Sequence, residues 1–113
     1  NMHTLKVQPL FYDYITTGTK RIELRLLDEK RKNIHLKDTI RITKEPENIE
    51  YTDVVVTGIL NYKDFSGLLN DFDISMLADK TYSKVSLLNE LEKFYPIEKQ
   101  QQYSVVGIRF ELL

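Results

Sequence analysis

The densest chemistry in this chain lies in the run Gly18-Thr19-Lys20-Arg21-Ile22-Glu23-Leu24-Arg25. A guanidinium fork such as that of Arg25 matches phosphate or the edge of a base, and a carboxylate such as Glu23 accepts from an exocyclic amine. A lysine such as Lys20, if taken out of water, has a lowered pKa. Residues 21–26 alternate strictly, with Ile22, Leu24 and Leu26 on one side and Arg21, Glu23 and Arg25 on the other, so an extended strand gives Glu23 and Arg25 a common face. On an open surface such a pattern is a set of ion pairs worth up to about 1 kcal/mol. In a cleft it is a polar array that can hold a ligand.

The neighbouring elements must position that array. Residues 3–8 alternate in polarity as a half-buried strand does, and Pro9 suits the first turn of a helix whose Leu10, Phe11, Tyr14 and Ile15 share a face. Gly18 stands where a left-handed residue ends such a helix. The polar run 28–33 reads as an exposed connection, whose basic members either contact phosphate or are simply solvated; it leads into a strand over 39–43. A turn at 45–48 precedes the β-branched strand 53–62, in which Gly58 marks a bulge or bend. Asp64 can cap a helix burying Phe65, Leu68, Leu69 and Phe72. Ser86 can cap another carrying Leu87, Leu88, Leu91 and Phe94 before Pro96 stops it. Residues 103–113 close the chain as a strand. Strands and helices do not alternate regularly, so the expected fold is α+β: a small, partly open, mainly antiparallel β-barrel with short flanking helices.

Composition bounds the function. A chain of 113 residues with 42% hydrophobic residues fills one core, so residues 2–113 are expected to form a single domain. No apolar run approaches the ~20 residues of a membrane span. The chain has no cysteine, which removes thiolate chemistry and Cys-based zinc sites and suits a reducing cytoplasm. His3 and His35 carry no assigned role, no acidic cluster suggests a metal, and no cofactor is implied. Asn1 before Met2 reads as the remnant of an expression tag. The net charge is only -1, yet up to Lys44 ten basic residues face five acidic ones, and beyond it six face twelve. A basic face that steers an anionic partner fits that asymmetry.

Gly18-Thr19-Lys20-Arg21-Ile22-Glu23-Leu24-Arg25 resembles the G-x-K-x-x-E-x-R signature of the ASCH family, related in fold to PUA domains. Asp38-Thr39-Ile40 is similar to the family's Gly-Asp-apolar turn, with Lys37 in place of the glycine. Tyr62-Lys63-Asp64-Phe65 resembles its Tyr-x-x-Phe helix start, Phe94-Tyr95 its helix-ending tyrosine, and Tyr103-Ser104-Val105-Val106-Gly107-Ile108 its closing strand. The resemblance spans nearly the whole chain in order. It implies a PUA-like barrel in which Lys20, Glu23 and Arg25 line a cleft for RNA or a nucleotide-like ligand, with Tyr62 and Tyr103 as candidates for stacking at the rim.

One branch of that family hydrolyses the amide of N4-acetylcytidine with the motif lysine, a threonine at the position of Glu23, and a second glutamate. Here Glu23 cannot supply the hydroxyl, and Lys80, beside Asp79, stands about where the second acid would fall. Three readings remain open at this point. In the first, the chain binds through Lys20, Glu23 and Arg25. In the second, it is a hydrolase, acting on an N-acylated nucleoside or on RNA, with Glu23 as general base and Lys20 or Arg25 stabilising an oxyanion. In the third, it is a non-catalytic interaction domain whose charged triad serves the fold.

Overall fold

Alternation over Met2–Val7 forms the first strand, β1, with Leu5 and Val7 buried and Thr4 and Lys6 exposed. The computed structural model describes residues 2–113, and Asn1 lies outside them. Pro9 begins helix α1 (Pro9–Thr16), where a missing N–H breaks no helical bond. The buried residues of α1 are Tyr12 and Ile15, while Leu10 is exposed and Phe11 and Tyr14 are half-buried. The helix is therefore rotated from the face that hydrophobicity alone suggested, because the Tyr12 ring enters the core. Gly18 then takes φ 84°, the left-handed value that terminates the helix and turns the chain toward β2 (Ile22–Leu26).

Three further strands, β3 (Thr39–Lys44), β4 (Tyr51–Tyr62) and β5 (Val105–Leu112), complete one sheet in the order β1-β3-β4-β5-β2. Among the described residues only the β1–β3 pair is parallel. The long strand β4 shifts register between Val56 and Gly58, the bulge that Gly58 suggested, and a bulge increases local twist and bend. The result is a curled, five-stranded half-barrel whose free edges are β1 and β2. Those edges are tied by one side chain, since Arg25 Nη2 donates to the Lys6 carbonyl at 2.7 Å.

The sheet has a core on each side. Within the curl, Leu5, Ile40, Ile42, Val54, Ile108 and Phe110 pack with Tyr12 and Ile15 of α1. Outside it, Ile22, Leu24 and Val105 pack against Phe65, Leu68, Leu77 and Leu87. These come from three helices: α3 (Phe65–Asp71), α4 (Ile74–Leu77) and α5 (Lys84–Phe94). Gly107 permits the close approach of α3, because a Cβ there would lie 3.0 Å from Ile22 Cγ2 and 3.2 Å from Leu68 Cδ1.

The helix boundaries differ from expectation in three places. The polar run after β2 is a helical turn, α2 (Glu29–Lys32), organised by Asp28, which accepts from Arg31 N at 3.1 Å and from Arg31 Nη1 at 2.8 Å. Ser83, not Ser86, caps α5; Ser86 is its reciprocal partner in a capping box. Pro96 ends α5 but also begins α6 (Ile97–Tyr103), so Tyr103 closes a helix rather than opening the last strand. Ser104, at φ 62°, makes the turn into β5.

Asp38 joins the start of β1 to the turn before β3. It accepts from His3 Nε2 at 2.8 Å and from the His35 backbone N–H at 2.9 Å, and these bonds hold its carboxyl down at about 2, against an ordinary 3.8. A depressed carboxyl stabilises the fold above its unfolded pKa and loses that contribution as pH falls through the folded one. Thermal melts of wild type and Asp38→Asn should therefore differ above pH 3.8 and converge as pH drops through about 2. A constant difference across that window would show that Asp38 acts by shape, not charge.

Candidate functional site

Strand β2 is buried on both faces. The cross-strand partners of Glu23 and Arg25 are Ile108 and Val106, which point into the half-barrel, so the charged side of the alternation faces inward too. Glu23 is 5% exposed and Lys20 only 2%. Charges so placed require partners, and each has them.

Lys20 sits after the Gly18 turn, where its Nζ donates to the Ile22 carbonyl at 2.6 Å and to the Leu77 carbonyl at 2.5 Å. Glu23 Oε1 stands 3.3 Å away as the third acceptor, and the Phe11 ring closes the site with its centroid at 5.5 Å. An ammonium has three protons, and this cage offers three oxygens. Two of the helix-terminal carbonyls of α4 are satisfied by the same turn, Leu77 by Nζ and Met76 by the Arg21 N–H at 2.8 Å. Burial pushes the Lys20 pKa down, and Glu23 opposes that shift.

For Glu23, burial alone would raise the pKa, but the Arg25 guanidinium and the Lys20 ammonium outweigh it and hold the carboxyl below its usual range. The group is an anion at neutral pH. Its Oε1 faces Lys20 and the Leu24 N–H at 3.2 Å, whereas Oε2 is buried with no hydrogen-bond partner and has Arg25 Nη1 at 3.3 Å. Arg25 in turn donates to the Leu24 and Lys6 carbonyls at 3.1 and 2.7 Å. Burial would lower its pKa, but the nearby Glu23, Tyr95 and Glu45 raise it, so it stays charged.

These three side chains line a cavity of about 450 Å3, within the range of small-ligand sites. Phe11 forms one wall, and Leu87, Leu91, Phe94 and Tyr95 from the end of α5 form another. Lys6, Lys30, Arg31, Glu45 and Glu90 are its other charged lining residues. Every one of the five cations comes from the basic first part of the chain.

The structure thus gathers Lys20, Glu23 and Arg25 and leaves the two tyrosines elsewhere. Neither Tyr62 nor Tyr103 lines the cavity. The Tyr62 hydroxyl donates to Asp71 at 2.5 Å and its ring packs edge-on to Phe72; the Tyr103 ring lies 5.9 Å from Lys99 Nζ. The aromatic wall consists instead of residues that helical spacing assigned to a buried face. Phe94 is 61% exposed, and its ring centroid is 6.5 Å from that of Tyr95. Gln100, fully buried, fixes this corner by donating to the Tyr95 carbonyl at 2.8 Å and accepting from the Phe65 N–H at 2.9 Å. Paired aromatics just before a proline were the available signal for the wall; nothing local marked Gln100.

Fold and site together define an α+β half-barrel with a charged cleft where its sheet edges meet. A family model described as the ASCH domain matches residues 5–113, and the chain belongs to that family. Among solved structures it is similar to the crystal structure of hypothetical protein PH0355, at 29% identity and a TM-score of 0.86 over 100% of both chains. It is also similar to the solution NMR structure of protein PF0455 from Pyrococcus furiosus, at 29% identity and a TM-score of 0.76, covering 100% of this chain and 98% of that one. No curated protein matches. Among the described residues no helix is long and apolar enough to cross a membrane, and no group of three or more His, Cys, Asp or Glu side chains is arranged to hold a metal ion.

Proposed function

We propose that this ASCH domain binds a nucleobase, presented by RNA or by a nucleotide-like molecule, in the cleft floored by Glu23. The observation that carries this reading is Glu23 Oε2, an ionised and buried acceptor without a hydrogen-bond partner on a residue lining a cavity walled by aromatics. An unsatisfied buried acceptor costs about 1–3 kcal/mol, which a donor from the ligand would recover. Exocyclic amines and ring N–H groups of bases are such donors. Because Oε2 is buried with Arg25 Nη1 3.3 Å away, the incoming donor takes a place beside that guanidinium and displaces it slightly. Phe94 and Tyr95 offer the stacking surface. Lys20, with all three protons engaged, is a positioning residue that orients Glu23.

The same geometry weighs against hydrolysis. A carboxylate held below its usual range is a weak general base, and an ammonium already directed at three protein oxygens has no proton left to donate to an oxyanion.

A screen of nucleosides, nucleotides and short single-stranded RNAs, read by retention and by product mass, tests the reading. Retention without product is expected. Phe94→Ala should weaken binding about 5- to 150-fold, the effect of losing ~1–3 kcal/mol of stacking, while leaving the melting temperature unchanged because the ring is mostly outside the core. Product released by wild type would move the chain to the hydrolases, and unchanged affinity in Phe94→Ala would remove the stacking wall from the account.

A further inference from the structure

The cleft carries more positive charge than its floor uses. Lys20 and Arg25 are committed to Glu23 and to backbone carbonyls, but Lys6 and Lys30 make no hydrogen bond or ion pair through their ammonium groups among the described residues, although both line the cavity. The guanidinium of Arg31 donates to Asp28 through Nη1, and its Nε is buried with no hydrogen-bond partner. The three side chains come from two elements, Lys6 from edge strand β1 and the others from the turn α2, which Asp28 caps into a fixed shape. None of that turn's residues is buried, but the Asp28 cap gives it a defined shape that brings Lys30 and Arg31 to the cleft.

Like charges packed together without a counterion are unfavourable, and a bound anion removes the penalty. Lys30 shows this crowding: its pKa is lowered first by burial, then by the neighbouring charges of Arg31, Arg25 and Lys6, with only Asp28 opposing. Glu45 and Glu90 also face the cleft, but together with Glu23 they leave the five cations in excess.

We propose that Lys6, Lys30 and Arg31 form a phosphate subsite in the cleft, so that the ligand is a phosphorylated nucleotide rather than a free nucleoside. This rests on the nucleobase reading above and adds a polarity to it: the base lies toward Glu23 and the Phe94–Tyr95 wall, the phosphate toward α2. Planar guanidinium and mobile ammonium groups suit phosphate oxygens, and the interaction weakens with salt.

Calorimetric titration of adenosine, cytidine and guanosine against their 5′-monophosphates, at about 50 mM and about 500 mM NaCl, is the test. A dinucleoside monophosphate, whose phosphate is internal, separates an RNA strand from a free nucleotide as the source of the anion. The monophosphates should bind at least about tenfold tighter than the nucleosides at low salt, with the advantage shrinking at high salt and closing in Lys6→Gln/Lys30→Gln. Equal binding of nucleoside and monophosphate would overturn the subsite while leaving the nucleobase reading intact, and an advantage that survives the double variant would place the phosphate elsewhere. An NMR titration with inorganic phosphate alone separates the remaining cases. Phosphate-induced shifts at the amides of residues 30 and 31, together with no binding of any nucleoside or nucleotide by calorimetry, would support the anion site and sink the nucleobase reading; silence to every probe would sink both.

Discussion

Replacing Lys20 by methionine is expected to destabilise the fold by about 3–5 kcal/mol, the cost typical of removing one partner from a buried ion pair. The substitution nearly conserves volume, so little of the loss comes from packing. It leaves the Leu77 and Ile22 carbonyls and Glu23 Oε1 without the charged donor that now serves all three. For a chain of this size the melting temperature should fall by roughly 10–25 °C. The effect should also carry a pH signature, because the carboxyl of Glu23 is held down partly by Lys20. A depressed carboxyl stabilises the fold above its unfolded pKa, and that contribution is lost as pH falls through the folded one. In Lys20→Met the folded value moves up, so acid unfolding should begin at higher pH than in wild type. A melting temperature within a few degrees of wild type would mean that the ammonium cage contributes no net stability.

The second large effect is expected at Arg25, the only residue whose side chain ties edge strand β2 to edge strand β1 among the hydrogen bonds described. Arg25→Ala removes that tie and leaves Glu23 Oε2 with neither an ion-pair partner nor a hydrogen bond. A stability loss of about 3–5 kcal/mol follows from a buried anion that keeps Lys20 but loses its other cation. Arg25→Lys should recover only a minor part of it. The guanidinium reaches the Leu24 carbonyl, the Lys6 carbonyl and Glu23 from one planar group, and a single ammonium on a flexible stem cannot span the same three acceptors. Hydrogen exchange should locate the damage at the β1 edge, near Lys6. Full rescue by lysine would show that only charge matters there, and the tie between the strands would lose its significance.

Much of this architecture was legible because local patterns and tertiary demands agree. The proline at the start of α1, the left-handed glycine at its end, the Asp64 cap and the Gly58 bulge each have one inexpensive backbone solution, and the chain adopts it. The Lys20, Glu23 and Arg25 grouping was legible for the same reason, since strand periodicity alone puts Glu23 and Arg25 on one face. Which way that face points was not. An alternating strand with a charged side ordinarily turns it to solvent, and here the three helices packed on the apolar side leave the charged side facing the barrel interior. The aromatic wall was missed because helical spacing cannot say where a neighbouring surface ends: Phe94 shares its period with Leu87 and Leu91 but extends past the core into the cleft. Likewise Pro96 was read as a stop, whereas proline at a helix start is equally natural, and α6 begins there.

Entry of a nucleobase into the cleft at Glu23 can be followed by a chemical-shift titration of uniformly labelled protein with adenosine, cytidine and guanosine 5′-monophosphates. The predicted result is saturable perturbation of the amides of residues 23–25 and 91–95, with Tyr62 and Tyr103 unmoved. Perturbation centred on Tyr62 or Tyr103, or none at millimolar ligand, would contradict it.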